Sequence, residues 1–138
     1  MDIRYPAKIE AQEPSGYLLT FVDLEDTFTE GATREEALFN ASEVLSAMLS
    51  WRLDNEVQLP EPTQNLTDAV YISPDARTQA ALLVRRARGD RSLAEVARVL
   101  ETSWPAAKRL EDPHHWPSLK QLEKAAAALG RRLILTFD

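Results

Sequence analysis

The sequence of 138 residues contains no cysteine, and its only two histidines, His114 and His115, are adjacent. Without cysteine there can be no disulfide, no thiolate zinc site and no cysteine nucleophile. The neighbouring histidines fit a surface loop better than a metal site or a Ser-His-Asp hydrolase. No apolar run approaches the roughly 18 residues of a membrane helix, and residues 1–6 lack a signal-peptide core. We therefore predict a cytoplasmic protein that holds no metal and needs no cofactor.

The net charge of −6 is unevenly distributed along the chain. Residues 1–66 carry 13 acids and four bases, a net charge of −9, whereas residues 67–138 carry nine acids and 12 bases, a net charge of +3. Such asymmetry suggests two modules with different partners, for example a basic protein for the acidic half and nucleic acid for the basic half. A solvated charged face on each half is an equally good explanation of the charges alone.

The first half of the chain shows the patterns of a small sheet. Residues 3–10 alternate between apolar and polar, which predicts a half-buried strand. Residues 17–22 are apolar on both faces, so this second strand is predicted to lie inside the sheet. Residues 27–30 form a short third strand that ends at Gly31, and residues 69–72 form a fourth.

A long helix interrupts these strands. Thr33-Arg34-Glu35-Glu36 matches a capping box, in which Thr33 and Glu36 satisfy each other's backbone N–H groups. An apolar stripe at helical spacing follows, so we predict a helix over residues 34–53. The result is an α+β domain of βββαβ order over residues 1–74, joined near Ser73-Pro74-Asp75 to a second domain over residues 75–138.

The second domain is predicted to be helical before its last residues. One helix covers residues 76–88, and further helices begin at Ser92, Ser103 and Ser118, each a favourable N-cap residue. Two short helices joined by a turn of three or four residues describe a helix-turn-helix unit. Trp104 is predicted to be exposed and Trp116 to be part of the core.

Several spaced motifs in this domain resemble the phage-repressor (Cro/C1, or Xre) class of helix-turn-helix proteins. They are Ser92-Leu93-Ala94-Glu95-Val96-Ala97, Leu100-Glu101-Thr102-Ser103, Lys108-Arg109-Leu110-Glu111, Pro117-Ser118-Leu119 and Ala128-Leu129-Gly130. That class often has glycine where Glu101 stands, so here the turn must form without the conformational freedom of glycine.

The resemblance implies that the second helix of the motif enters the major groove of DNA. Lys108 would then donate to guanine O6 or N7, and Trp104 would contact thymine methyl groups. The cluster Arg85-Arg86-Arg88 would add phosphate contacts, or some of its members would only be solvated. Arg109 would either bind phosphate or pair with a nearby acid. The implied DNA-binding residues are Arg91, Ser92, Ser103, Trp104, Pro105, Lys108 and Arg109.

Residues 131–138 have the pattern of a strand that has no partner nearby in the sequence. We predict that two copies pair across a two-fold axis and form the homodimer that palindromic operators require. The dimerising residues would be Leu133, Ile134, Leu135 and Phe137. Alternatively, this segment pairs with the N-terminal sheet or packs on its own helices.

The first half resembles the HicB antitoxin family, which pairs a partial ribonuclease-H-like domain with a DNA-binding domain. The similarity lies in Tyr17, Phe21, Asp23-Leu24, Thr29, Gly31, Thr33, Glu36-Ala37, Asn40-Ala41 and Pro60-Glu61-Pro62. Together with the helix-turn-helix motifs, it spans essentially the whole chain. Val22 departs from the family, which commonly has proline there.

The resemblance implies an antitoxin that covers the active site of a small basic mRNA-cleaving toxin of HicA type and represses its own operon by binding operator DNA. A heterotetramer of two antitoxins and two toxins is the expected assembly. Opposite charge favours such a complex. We expect the toxin to meet an acidic cluster formed by Asp23, Glu25, Asp26 and Glu30.

Two functions other than that of an antitoxin are alternatives for this sequence. A ribonuclease-H-like enzyme needs three or four converging carboxylates for its metals, and only Asp23 and Glu43 are available, so we predict no catalytic residues and no enzyme activity. A stand-alone dimeric transcription regulator with an N-terminal ligand-sensing domain is the second alternative, although residues 1–72 show no phosphate-binding loop.

Overall fold

Four short strands and one long helix make up the N-terminal part of the chain. The computed structural model describes residues 1–138 and divides into two compact units, residues 2–76 and residues 77–138 with Met1. The N-terminal unit contains β1 (Tyr5–Ala11), β2 (Tyr17–Phe21), β3 (Phe28–Gly31), α1 (Arg34–Asp54) and β4 (Val70–Ile72). The α+β class is therefore confirmed.

The strands form one antiparallel sheet in the order β3-β2-β1-β4. The strand with apolar residues on both faces, β2, lies inside the sheet, as its sequence predicts. One face packs under α1, which contacts β2, β3 and β4. The core of this unit consists of fully or almost fully buried side chains: Tyr5, Ala7, Leu19, Phe21, Leu24, Ala37, Ala41, Leu45, Leu49 and Ile72.

The N-terminus of α1 is capped as the sequence predicts, with one difference. The Thr33 Oγ1 accepts a hydrogen bond from the Glu36 N–H at 3.1 Å. The Glu36 carboxylate accepts from the N–H of Ala32 at 3.3 Å, not from that of Thr33. The carboxylate thus reaches one residue further back than in a standard capping box and satisfies the donor that precedes the cap.

The 15 residues 55–69 contain no helix or strand, but side chains of the sheet hold them in place. The Tyr5 hydroxyl donates to the Pro60 carbonyl at 2.7 Å. The Tyr71 hydroxyl donates to the Thr63 carbonyl at 2.7 Å and accepts from the Leu66 N–H at 3.2 Å. The loop is therefore an ordered part of the unit.

The C-terminal unit is built from helices around its own small core. Its helices are α2 (Ala76–Arg88), α3 (Leu93–Val99), α4 (Trp104–Arg109) and α5 (Leu119–Ala128). Nine apolar residues pack together in this core: Val84, Ala87, Val96, Ala97, Leu100, Ala107, Leu110, Leu122 and Leu129. No helix of the chain is both long and apolar enough to cross a membrane.

Two expectations for the C-terminal unit differ from the structure. Trp116, predicted to be in the core, is 67% exposed, and its ring centroid lies 5.2 Å from the Arg77 guanidinium. Smaller aliphatic residues already fill the core, so the indole remains outside it. Residues 131–138, predicted to be a strand, form neither helix nor strand. A strand needs a hydrogen-bonded neighbour, and the C-terminal unit contains no other strand.

Candidate functional site

The helix α4 carries the residues that were predicted from the sequence to contact DNA bases. Ser103 caps it, since its Oγ accepts from the Ala106 N–H at 3.2 Å. Trp104, 47% exposed, and Lys108 lie on the outer side, where the Lys108 Nζ is 5.2 Å from the Trp104 ring centroid. Ala107, by contrast, is 1% exposed and faces the core. The prediction that Trp104 is exposed is confirmed, and Pro105, Lys108 and Arg109 are exposed with it.

The helix α3 precedes α4 and packs against it. Ser92 Oγ accepts from the Glu95 N–H at 3.1 Å, and the neighbouring Arg91 is exposed. The first turn of α3 can therefore present backbone N–H groups and an arginine to an anion. In the turn between the helices, Glu101 has φ of 54°, the left-handed conformation that glycine adopts more readily.

Two arginines near the end of α2, Arg85 and Arg88, donate hydrogen bonds to other residues of the C-terminal unit. The Arg88 Nε donates to Glu111 at 2.7 Å, and its Nη2 donates to the second carboxylate oxygen at 3.1 Å. The Arg88 Nη1 also donates to the Arg91 carbonyl at 2.9 Å. The Arg85 Nη1 donates to the Gly89 carbonyl at 3.2 Å. Arg88 thus ties α2 to the segments that flank α3 and α4, and its guanidinium is engaged within the C-terminal unit.

The acidic cluster lies on the loop between β2 and β3 and on β3 itself. The Asp23 carboxylate accepts from the Thr63 N–H at 2.8 Å and from the Thr63 hydroxyl at 2.6 Å. Both of its oxygens therefore hold the loop of residues 55–69. Glu25, Asp26 and Glu30 are exposed, so three of the four acids in this cluster are presented to solvent.

Phe28, which was not predicted as a site residue, lies at the start of β3, two residues from Asp26 and two from Glu30. Phe28 is 56% exposed, and it pairs across the sheet with Thr20, while Thr29 pairs with the fully buried Leu19. Because side chains alternate along a strand, Phe28 and Glu30 project from the sheet face opposite α1. The alternation of the short strand over residues 27–30 was the signal that could have identified Phe28.

The two acids that a ribonuclease-H-like enzyme could use lie apart from other functional carboxylates, and most of the predicted dimerising residues are exposed. Asp23 bonds to Thr63, and Glu43 is exposed on α1, so neither joins a set of converging carboxylates. In the C-terminal segment, Leu133 is partly buried. Ile134, Leu135 and Phe137 are 73%, 65% and 107% exposed. Three large apolar side chains are thus available to a partner chain.

Comparison with known proteins extends along the whole chain. The family of HicB-like antitoxins of bacterial toxin–antitoxin systems matches residues 4–79. Antitoxin HicB 1 of Photorhabdus laumondii is 26% identical over 137 residues, which is 99% of this chain and 88% of the relative. Antitoxin HicB 2 of the same organism is 29% identical over 134 residues, 97% of this chain and 96% of the relative. Antitoxin HicB of Escherichia coli K12 is 27% identical over 137 residues, 98% and 99% of the two chains.

The family match begins just before β1 and ends in the first turn of α2, so it includes the entire N-terminal sheet, α1 and the acidic loop. It covers more than half of the chain. The protein therefore belongs to the HicB-like family of antitoxins of bacterial toxin–antitoxin systems.

Proposed function

We propose that this protein neutralises a small, basic, RNA-cleaving toxin of HicA type through its N-terminal unit and represses its own operon through its C-terminal unit. The toxin-binding proposal depends above all on one observation. Residues 9–33 contain six acids and no lysine or arginine, and Glu25, Asp26 and Glu30 are exposed there. An RNA-cleaving protein needs a basic surface, and opposite charge accelerates and orients its association. By covering the toxin's active site and RNA surface, the antitoxin acts as a binding protein and not as an enzyme.

The toxin proposal can be tested by charge reversal. The wild-type chain should restore growth to cells that express its cognate HicA-type toxin. The double variant Glu25→Lys/Glu30→Lys should associate with purified toxin about tenfold more slowly at low salt, because steering by opposite charge is lost. Stopped-flow or surface-plasmon measurements give the association rate.

A matched double variant distinguishes the effect of these particular acids on the association rate from the effect of the net charge of the protein. Glu43→Lys/Glu61→Lys changes the charge by the same amount at two exposed positions of the N-terminal unit that lie outside residues 9–33, and it should affect the rate much less. Equal slowing by both pairs would contradict the assigned surface. Failure of the wild-type chain to neutralise the toxin would leave the stand-alone regulator as the better function.

For the C-terminal unit, we propose a helix-turn-helix of the Cro/C1 type, with α4 as the recognition helix. Four features support this assignment: the two short capped helices, the buried Ala107, the exposed Lys108 and Trp104, and the left-handed Glu101 in the turn. Arg91 and Ser92 would meet a phosphate at the start of α3, Ser103 and Pro105 would approach the groove at the start of α4, and Arg109 would contact a phosphate.

Replacing Lys108 with alanine should weaken operator binding by about 1–3 kcal/mol and relax the preference at one base pair, because a donor to guanine is removed. Titrations of operator and random DNA measured at several salt concentrations give both quantities. Lys120→Ala, which removes an exposed lysine from α5, is the control and should change little. An equal loss on operator and random DNA would show that Lys108 binds phosphate.

We further propose that residues 131–138 form the dimer contact and that two antitoxins and two toxins assemble into a heterotetramer. The exposed Ile134, Leu135 and Phe137 would be covered when two copies pair as antiparallel strands. The N-terminal unit would correspond to the partial ribonuclease-H-like domain of the family.

Deletion of residues 131–138 should convert the dimer into a monomer, since it removes both the apolar side chains and the strand backbone. Sedimentation equilibrium measures the mass. The full-length variant Arg131→Gln/Arg132→Gln removes only charge and should remain dimeric. A dimer of unchanged stability after the deletion would refute this contact.

A further inference from the structure

The outer edge of β3 is open. Because β3 is the outermost strand of the sheet, only one of its sides is hydrogen-bonded to a neighbour. The Phe21 N–H donates to the Thr27 carbonyl at 3.0 Å, so Phe21 and Thr27 form a hydrogen-bonded pair. Such pairs alternate with non-hydrogen-bonded pairs along an antiparallel ladder. Thr29, opposite Leu19, therefore bonds to β2, whereas the backbone groups of Phe28 and Glu30 point outwards.

One of these outward groups already has a partner. The Asn40 Nδ2 donates to the Glu30 carbonyl at 2.9 Å. The Phe28 N–H, the Phe28 carbonyl and the Glu30 N–H have no partner in the sheet. They form a short row of two donors and one acceptor that another strand can complete.

The side chains beside this edge indicate which kind of strand it accepts. Phe28 offers an exposed ring of the size that anchors protein interfaces. Glu30 lies two residues further along β3, and Glu25 and Asp26 lie in the turn just before the strand, so exposed acids stand on both sides of Phe28 in the sequence. Two copies of this chain would bring the same acids face to face, and like charges opposite each other destabilise strand pairs. The edge therefore disfavours a second copy and favours a cationic chain.

We infer that β3 is a strand-addition site: the toxin docks by adding a basic β-strand to the outer edge of β3, with an apolar residue over Phe28. This inference rests on the proposed function, since it names how the partner of the acidic cluster is held. Main-chain hydrogen bonds to Phe28 and Glu30 hold and orient the added strand whatever its side chains are. The acids select a basic partner.

Hydrogen exchange of individual amides in the full chain tests the inference directly. The probe is a purified, catalytically inactive variant of the HicA-type toxin. In the free antitoxin, the Thr29 amide should exchange slowly and the Phe28 and Glu30 amides should exchange rapidly. On toxin binding, the Phe28 and Glu30 amides should become at least tenfold slower, because they then donate to the added strand.

A pair of substitutions at one position isolates the backbone contribution. Glu30→Ala and Glu30→Pro both remove the carboxylate, but only proline also removes the outward N–H. Glu30→Pro should bind the toxin at least tenfold more weakly than Glu30→Ala in calorimetric titrations. Thermal unfolding of both variants verifies that the fold is kept, and the exchange experiment uses the unaltered antitoxin.

The outcomes separate this inference from the proposed function. Toxin binding with unchanged exchange at Phe28 and Glu30, or equal affinities of the proline and alanine variants, would overturn strand addition and leave neutralisation intact. Slow exchange at both amides before the toxin is added would also overturn it, because the edge would then be occupied. Absence of any binding by the wild-type chain would overturn both proposals.

Discussion

Replacement of Gly31 by alanine is expected to destabilise the N-terminal unit by about 3 kcal/mol, near the upper end of the usual cost of overpacking. A Cβ at this position would lie 2.3 Å from the Ala37 nitrogen, 2.8 Å from the Ala37 Cα and 2.9 Å from the Glu36 carbonyl carbon. All three are backbone atoms, so no side chain can rotate away. Relief requires that the end of β3 separates from the first turn of α1.

This separation would also affect toxin binding, because β3 carries Phe28 and Glu30. Urea unfolding, followed through amide signals of β3 and of α5, measures the loss in each unit. Gly130→Ala is the control, since nothing lies within 4 Å of a Cβ there and only its φ of +75° opposes alanine. We expect about 1 kcal/mol for that change. A loss at Gly31 no larger than at Gly130 would mean that β3 moves from α1 at little cost.

Replacement of Glu111 by alanine is expected to destabilise the C-terminal unit by about 3 kcal/mol. The Glu111 and Arg88 side chains are 10% and 17% exposed and meet at 2.7 Å. Removing the carboxylate leaves a largely buried guanidinium without its counter-charge, and water replaces the lost partner poorly at that depth. The Arg85 Nε, 4.0 Å from the same carboxylate, adds a second positive charge to the vacated position.

Operator affinity should fall along with stability, because the Arg88 side chain links the end of α2 to Glu111, just after α4, and to the Arg91 carbonyl, just before α3. Loss of this link would loosen both helices of the proposed DNA-binding motif. Chemical unfolding and operator titration measure the two effects. Glu123→Ala removes an exposed acid from α5 and should cost less than about 0.5 kcal/mol.

A further variant tests the origin of the loss. The double change Arg88→Met/Glu111→Leu should recover much of the stability, since apolar side chains of similar volume avoid the unpaired charge. Equal losses for Glu111→Ala and Glu123→Ala would show that the ion pair has no structural role.

Local signals in the sequence predicted most of the helices. Each capping serine lies where it is expected, and at Ser118 the box is complete: the Gln121 N–H donates to Ser118 Oγ at 3.0 Å, and the Ser118 N–H donates to Gln121 Oε1 at 2.8 Å. These contacts span three residues, so sequence spacing alone determines them. The sheet was also predictable, because apolar and polar residues alternate along its first strand. This alternation arises because a helix covers only one face of the sheet.

Features that depend on distant parts of the chain were not predictable. Asp23 was expected to face a partner, but its carboxylate bonds to Thr63, 40 residues away. Ser46 is buried within α1, where its hydroxyl accepts from the Asp75 N–H at 2.8 Å. Gly31 was interpreted only as the end of a strand, and its close approach to Ala37 becomes visible only when α1 is placed over the sheet. The spacing of residues along the sequence does not predict such long-range contacts.

The anchored loop of residues 55–69 has a consequence for how the chain accepts insertions. Irregular surface segments usually tolerate added residues because closing a longer loop costs little entropy. Here the carbonyls of Gln58, Pro60 and Thr63 accept from Arg52, Tyr5 and Tyr71, and the Leu66 N–H donates to Tyr71. The anchors are two or three residues apart, so an inserted residue anywhere between them would displace at least one. An epitope tag or fluorescent domain placed in this loop would therefore disturb the sheet, despite the lack of regular secondary structure.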